Sequence, residues 1–319
     1  MKFIAALAAL LIALALASSG IGASHISPSA LFSDNHALSE LARQVVVDIR
    51  LPRTALAILT GASLGLAGAV LQGLLRNPLA DPGIMGISST AALGAVIAFY
   101  FGFPVIVAGG IAGSLAAVLL LVGLAWRQTG TLTLLLAGVA LNSFAVALTS
   151  LALNLAPSPM ASYEILFWLL GSVADRSWTH VYTALPLILA GWGVLASTGK
   201  GLDALALGEE VAHSLGVNLV RLRWSAVIGT ALAVGAAVSV TGAIGFIGLI
   251  VPHLIRPLVG HRSKILLPAC ALGGAVLLLA ADIVVRLLSL QAELKLGVAT
   301  ALLGAPFFLV KVLRMRERE

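Results

Sequence analysis

Long apolar stretches separated by short polar connections occupy nearly the whole chain, at about 3–23, 54–75, 84–100, 104–126, 131–153, 180–197, 222–241, 244–257, 265–285 and 297–313. A helix rises about 1.5 Å per residue, so roughly 20 apolar residues cross a bilayer core. The pattern predicts an all-α fold: a polytopic membrane protein of ten transmembrane or part-spanning helices per subunit, in one domain covering 1–319. The third and eighth stretches are short and flanked by Gly and Pro, as expected of broken helices that line a cavity. A further short apolar piece, Ile165 to Gly171, is expected at the outer face. One polar island stands out, GLDALALGEEVAHSLGVNLVRLRW from Gly201 to Trp224. It reads as a docking surface, a short amphipathic helix offered to water. Within it Glu210, Ala212 and Gly216 fall at the spacing E-x-A-x-x-x-G, with Glu209 alongside.

The first stretch has two readings. Met1-Lys2, an apolar run and small residues around Ser18 to Ala23 resemble a cleavable secretory signal. The run exceeds the roughly 7–15 apolar residues of a signal, however, and an even helix count places both termini on one side. A retained helix is expected, with cleavage as the alternative.

Composition agrees with the pattern. Hydrophobic residues make up 60% of the chain and charged ones 10%, with a mean hydropathy of +1.08, too apolar for a water-soluble globule. The net charge of +6 is distributed as topology rather than as a nucleic-acid surface, because the bases cluster in short loops. Arg76, Arg127, Lys200, Arg221, Arg223, Arg256, Arg262, Lys264, Lys311, Arg314, Arg316 and Arg318 all fall on one side, which marks it as the cytoplasm and puts both termini there. Four arginines break the trend on the outer side: Arg50 and Arg53 in DIRLPR, Arg176 in VADRSW and Arg286 in ADIVVRL. The single cysteine, Cys270, permits neither an internal disulfide nor a cysteine metal site and reads as a small core residue.

Several chemistries are excluded. GVLASTGKG, Gly193 to Gly201, has one residue too many between its glycines for a phosphate loop. It also closes a membrane helix instead of opening one. An ATPase driving this chain must therefore be another polypeptide. No His-Glu-x-x-His, Gly-x-Ser-x-Gly or paired embedded carboxylates occur, so no catalytic residue, metal site or cofactor is assigned. Asp81, Asp282, Arg256 and His253 look buried but fall near helix ends, which disfavours an ion-coupled secondary transporter.

Five blocks carry a family resemblance. They are GASLGLAGAVLQGLLRNPLADPGIMGISS from Gly61, LLLAGVALN from Leu134, LALGEEVAHSLGV from Leu205, GAIGFIGLIVPHLIR from Gly242 and LGVATALLGAPFF from Leu296. In this order, from about Arg50 to the C-terminus, they resemble the FecCD family, permease subunits of ABC importers for ferric siderophores, haem and cobalamin. The resemblance implies a bacterial inner-membrane homodimer, two copies of an ATP-binding subunit and a periplasmic substrate-binding protein. It makes residues 201–222 the coupling region for the ATPase subunit, through Glu209, Glu210, Ala212 and Gly216.

In NPLADPG, Pro78 and Pro82 break the helix, and Asn77 and Asp81 can cap the freed ends. The turn reads equally as a structural corner or as a gate. The resemblance implies a cytoplasmic gate of Asn77 and Leu79 against Thr131 and Leu132. Gly242, Gly245 and Gly248, three apart, read as one smooth helical face for close packing. His253 after Pro252 reads as a packing or capping residue, with haem-iron ligation as the alternative. The resemblance also implies salt bridges from Arg50, Arg53 and Arg286 to glutamates of the binding protein, lipid-headgroup anchoring being the alternative. Arg176 is a possible contact for an anionic substrate or a partner of Asp175. LLGSVADRSW resembles haem permeases more than cobalamin ones, so haem is the expected cargo.

Overall fold

The structure is a computed structural model that describes residues 2–22, 26–83, 85–101, 106–125, 131–288 and 294–316. Its regular elements are helices. They are α1 (Lys2–Gly20), α2 (His36–Arg43), α3 (Leu51–Leu74), α4 (Ile87–Tyr100), α5 (Ile106–Ala125), α6 (Thr131–Asn154), α7 (Pro159–Leu169) and α8 (Trp178–Ser197). There follow α9 (Gly199–Leu205), α10 (Glu209–Ser214), α11 (Leu219–Thr230), α12 (Ala236–Thr241), α13 (Ile247–Val259), α14 (Ser263–Leu288) and α15 (Leu296–Arg316). Wider π-type turns at Gln44–Arg50 and Ala231–Gly235 join α2 to α3 and α11 to α12.

Each of the ten apolar stretches forms a helix. Among the described residues six helical stretches are long and apolar enough to cross a membrane, and four apolar helices are shorter. The third and eighth stretches become α4 and α13, with 14 and 13 residues. Local chemistry sets several starts. Asn35 Oδ1 accepts from the first-turn amides of Ala37 and Leu38, and Ser158 Oγ and Asn218 Oδ1 cap α7 and α11. Pro159 stands at a helix start, where the missing N–H costs nothing.

α3 is the central element, buried along nearly its whole length and surrounded by α14, α13, α8, α11 and α12. It meets α14 backbone to backbone: a Cβ on Gly61 or Gly65 would collide with the carbonyls of Gly274 and Cys270. Small residues permit that approach, which supplies dispersion and weak C–H···O contacts where lipid gives no hydrophobic drive between helices. Cys270 is accordingly a buried packing residue. A smaller core of Leu71, Met85, Ile87, Leu121 and Val227 joins α4 and α5 to the centre. α6 packs mainly on α4 and leaves Leu136, Val139, Phe144, Val146 and Leu151 exposed.

The smooth glycine face expected of Gly242, Gly245 and Gly248 does not form. α12 ends at Thr241, Gly242 takes φ 72° as its C-cap, and the backbone is irregular until α13 begins at Ile247. Only Gly248 is helical, and it packs against Gly68 and the Asp81 side chain. The left-handed turn that Gly242 permits breaks the helix before a three-residue periodicity can act.

Candidate functional site

A cavity of about 450 Å³ lies between α4, α6, α7 and the α12–α13 break. Its wall on α6 comprises Asn142, Val146, Thr149, Ser150 and Leu153, which share one helical face by their spacing. The break contributes Ala243, Ile244 and Gly245, and the NPLADPG turn contributes Asp81 and Gly83. Val146 is 52% exposed as well as lining the cavity, so the cavity opens toward the exposed face of α6. Much of the wall is apolar, and three of its hydroxyls are already committed as donors. Thr149 Oγ1 donates to Ala145 O at 2.8 Å, Ser150 Oγ to Val146 O at 3.0 Å and Ser89 Oγ to Gly86 O at 3.0 Å. What remains for a ligand is the acceptor capacity of these hydroxyls and of Asp81, together with the amide of Asn142 and the hydroxyl of Ser88, which can donate as well as accept.

The NPLADPG turn is held by two side chains, though differently from the helix caps expected. Asn77 Oδ1 accepts from Leu79 N at 2.9 Å, and Asp81 Oδ1 from Gly83 N at 2.8 Å. Each thus closes a turn onto the amide two residues on. Asn77 and Leu79 are half-buried. Thr131 and Leu132 open α6; their side chains lie outside the described residues, as does Arg127 as a whole.

Arg50, Arg53 and Arg286 do gather at one end of the bundle, but their guanidinium groups turn inward. Arg53 Nε donates to Asp282 Oδ1 at 3.0 Å and its Nη2 to the same oxygen at 2.7 Å. Arg286 Nε donates to Asp282 Oδ2 at 2.8 Å, and its Nη2 also bonds Asp282. Asp282 has no exposed surface. Arg286 Nη1 reaches Ser18 O at 3.0 Å and Ile21 O at 3.1 Å, and Arg50 Nη1 reaches Ser19 O at 2.8 Å and Ile26 O at 2.9 Å. These carbonyls end α1 or follow it, where intrahelical donors are missing and a cation is favoured. The cluster therefore ties α1, α3 and α14 together, a task that the sequence did not suggest for it.

Arg176 follows Asp175, whose φ is 56°, in the α7–α8 loop, and its buried Nε has no hydrogen-bond partner. Burial lowers its pKa and the Asp175 charge offsets part of that. It is not among the residues lining the cavity. His253 packs edge-on against Phe307, ring centroids 5.7 Å apart. It too is absent from the cavity wall, which matches packing better than iron ligation. Among the described residues no three His, Cys, Asp or Glu side chains come together as a metal site.

At the other end, α9 and α10 build the polar island. Ala212 is fully buried, Gly216 takes φ 79° in the turn that ends α10, Glu210 is exposed, and Glu209 pairs with Arg223 at 3.0 Å. Leu207, Val211 and Leu215, four residues apart, are 66%, 43% and 62% exposed. These exposed apolar side chains lie in and beside α10, close in sequence to the exposed Glu210. The sequence pointed to the glutamates and not to these apolar side chains, of which Val211 lies in α10 while Leu207 precedes the non-helical Gly208 (φ 115°) and Leu215 follows the helix.

Comparisons with known proteins agree along nearly the whole chain. The profile of the FecCD transport family matches residues 10–314. The hemin transport system permease protein of Yersinia pestis is 40% identical, over 97% of this chain and 94% of its own length. The cobalamin import system permease protein of Halobacterium salinarum is 43% identical over 87% and 75%, and the Fe(3+)-citrate import system permease protein of Bacillus subtilis 40% over 95% and 92%. Among solved structures, a metal-chelate type ABC transporter in an inward-facing conformation superposes with a TM-score of 0.88 at 35% identity, covering 98% of this chain and 99% of that one.

Proposed function

The chain belongs to the FecCD transport family, and on that premise we propose that it is the permease subunit of an ATP-driven importer in the bacterial inner membrane, moving haem inward. The observation that carries the coupling role is the exposure of Leu207, Val211 and Leu215 together with Glu210 in and around the island's short helix. Two copies of an ATP-binding subunit dock there, on residues 201–222 of each copy. Glu210 meets the partner's surface, Glu209 and Arg223 brace α10 against α11, and Ala212 and Gly216 shape the turn. The island and both termini then face the cytoplasm, as the distribution of Lys and Arg favours.

A second copy of the chain completes the pathway, because the cavity opens on the exposed face of α6. Asn77 and Leu79 form the cytoplasmic gate with the start of α6 at Thr131 and Leu132. A periplasmic binding protein docks at the opposite end, on the surface that Arg50, Arg53 and Arg286 hold in shape. Arg53, with a side chain 12% exposed, keeps an edge there. Closure of the motor on ATP shifts the pathway between outward and inward access by favouring one of two packings. This subunit contributes no bond chemistry; hydrolysis belongs to the partner.

Haem is favoured by similarity to the Yersinia pestis permease over both chains nearly whole. Arg176, at the outer mouth, could meet a propionate on arrival. A second cargo, cobalamin, is favoured by similarity to the Halobacterium salinarum permease, 43% identical over 87% of this chain.

Proteoliposomes holding this chain, its ATPase and its binding protein should take up cargo only with ATP inside. Uptake driven by an ion gradient without the ATPase would reject the importer reading. A Soret band on the co-purified binding protein would select haem, and a corrinoid spectrum would select cobalamin.

A further inference from the structure

α14 runs the length of the bundle between two latches. Its 26 residues span about 39 Å at 1.5 Å per residue, more than the roughly 30 Å of a bilayer core. At one end Asp282 holds Arg53 of α3 and Arg286 of α14 itself. At the other end the Ser263 amide, the first of α14, donates to Asp203 Oδ1 at 2.8 Å. Asp203 belongs to α9, 60 positions away in sequence. Around that bond Gly199 lies against Ser263 and Leu267, while Leu202 and Leu205 are buried, Leu202 against Gly73 of α3. Between the latches α3 and α14 touch through backbone at Gly61, Gly65 and Gly274, which leaves little side-chain compliance. Among the described residues the cavity helix α6 packs mainly on α4 and, less extensively, on α5 and α7.

We propose that Asp203 is a positioning residue that joins the motor-docking island to a strut made of α3 and α14, so that movement of the island is delivered along α14 to the arginine cluster at the far end. The inference rests on the proposed docking of an ATPase at the island. The part of Asp203 that matters is one acceptor oxygen at an orphan helix-start amide. An amide oxygen can serve there as well as a carboxylate. A leucine of similar size cannot.

The test compares Asp203→Asn with Asp203→Leu. In the purified permease without partners, hydrogen–deuterium exchange at 263–266 should quicken at least fivefold in Asp203→Leu, with a smaller increase at 282–286, and stay near wild type in Asp203→Asn. Asp203 falls within the 201–222 coupling region and is itself exposed, with Oδ1 on the Ser263 amide; in proteoliposomes with binding protein, Asp203→Leu should transport at least fivefold less cargo per ATP hydrolysed by the ATPase it retains. Asp203→Asn should keep more than half of the wild-type ratio. Unchanged exchange in Asp203→Leu, an unchanged transport-to-ATP ratio, or equal damage in both variants would each overturn the proposal. So would loss of ATPase co-purification confined to Asp203→Leu, since its oxygen would then serve docking and not the strut. Wild-type liposomes without ATP-dependent uptake would instead reject the importer reading, and the exchange result would still decide whether the latch exists.

Discussion

Asp282 has no exposed surface and accepts hydrogen bonds from two arginines, one of them 229 positions away in sequence. Replacing it with Asn would remove the buried negative charge that both guanidinium groups share. Breaking such a buried network costs about 3 kcal/mol or more, because the stranded charges stay desolvated. Asp282→Asn should therefore lower the unfolding midpoint of the detergent-solubilised protein by several degrees and expose the 18–26 segment to proteases. An unchanged midpoint with an unchanged digest would show that the cluster does not hold α1. The residue types were readable in ADIVVRL and DIRLPR, and so was their common end of the bundle. Which way the guanidinium groups pointed was not, because the acceptor carbonyls of Ser18, Ser19, Ile21 and Ile26 come from a different helix and the segment after it. Asn77 and Asp81 illustrate the opposite case. Their turn-forming role follows from chemistry within three residues, and only the bonded amide differed from the cap expected.

Helices α10 and α13 show how far an element's pattern can be trusted. For α10, an island between apolar stretches already meant a solvent-facing helix, and the exposed Val211 within it, with Leu207 and Leu215 at its two ends, adds apolar surface that a partner would cover. Burying a leucine at an interface contributes about 1.5–3 kcal/mol. Leu207→Ser or Leu215→Ser should weaken ATPase binding roughly tenfold, about 1.4 kcal/mol, with the permease's own melting unchanged. Equal affinity for both variants and wild type would move the dock elsewhere. For α13, the glycine spacing looked helical from Gly242 onward, yet the helix starts five residues later. Periodicity gives the face a helix would present but not whether the chain stays helical, and the φ of 72° at Gly242 settles that locally. The resulting break is what lines the cavity.

Across the whole molecule the largest exposed apolar surfaces include α1 and α6, and lipid can cover either. α6 differs because its exposed face adjoins the cavity through Val146, so a second copy is expected there. Cysteines placed singly at Leu136, Val139, Phe144 or Leu151 should include at least one that forms an inter-subunit disulfide on mild oxidation. Cysteines at Ile12 or Leu16 of α1 should form none. The buried native Cys270 does not compete. Cross-links at α1 with none at α6 would refute the pathway dimer.

Membrane embedding, the ten helical stretches, the two short helices and the family were determined by the sequence alone. Each depends on hydrophobicity summed over about 20 residues or on contiguous motifs, quantities local to the chain. The inward turn of the arginines, the cavity and the Asp203–Ser263 latch were decided only by tertiary structure. Each of these is a meeting of residues tens to hundreds of positions apart, and a polar group at a helix end takes whichever partner packing brings within about 3 Å.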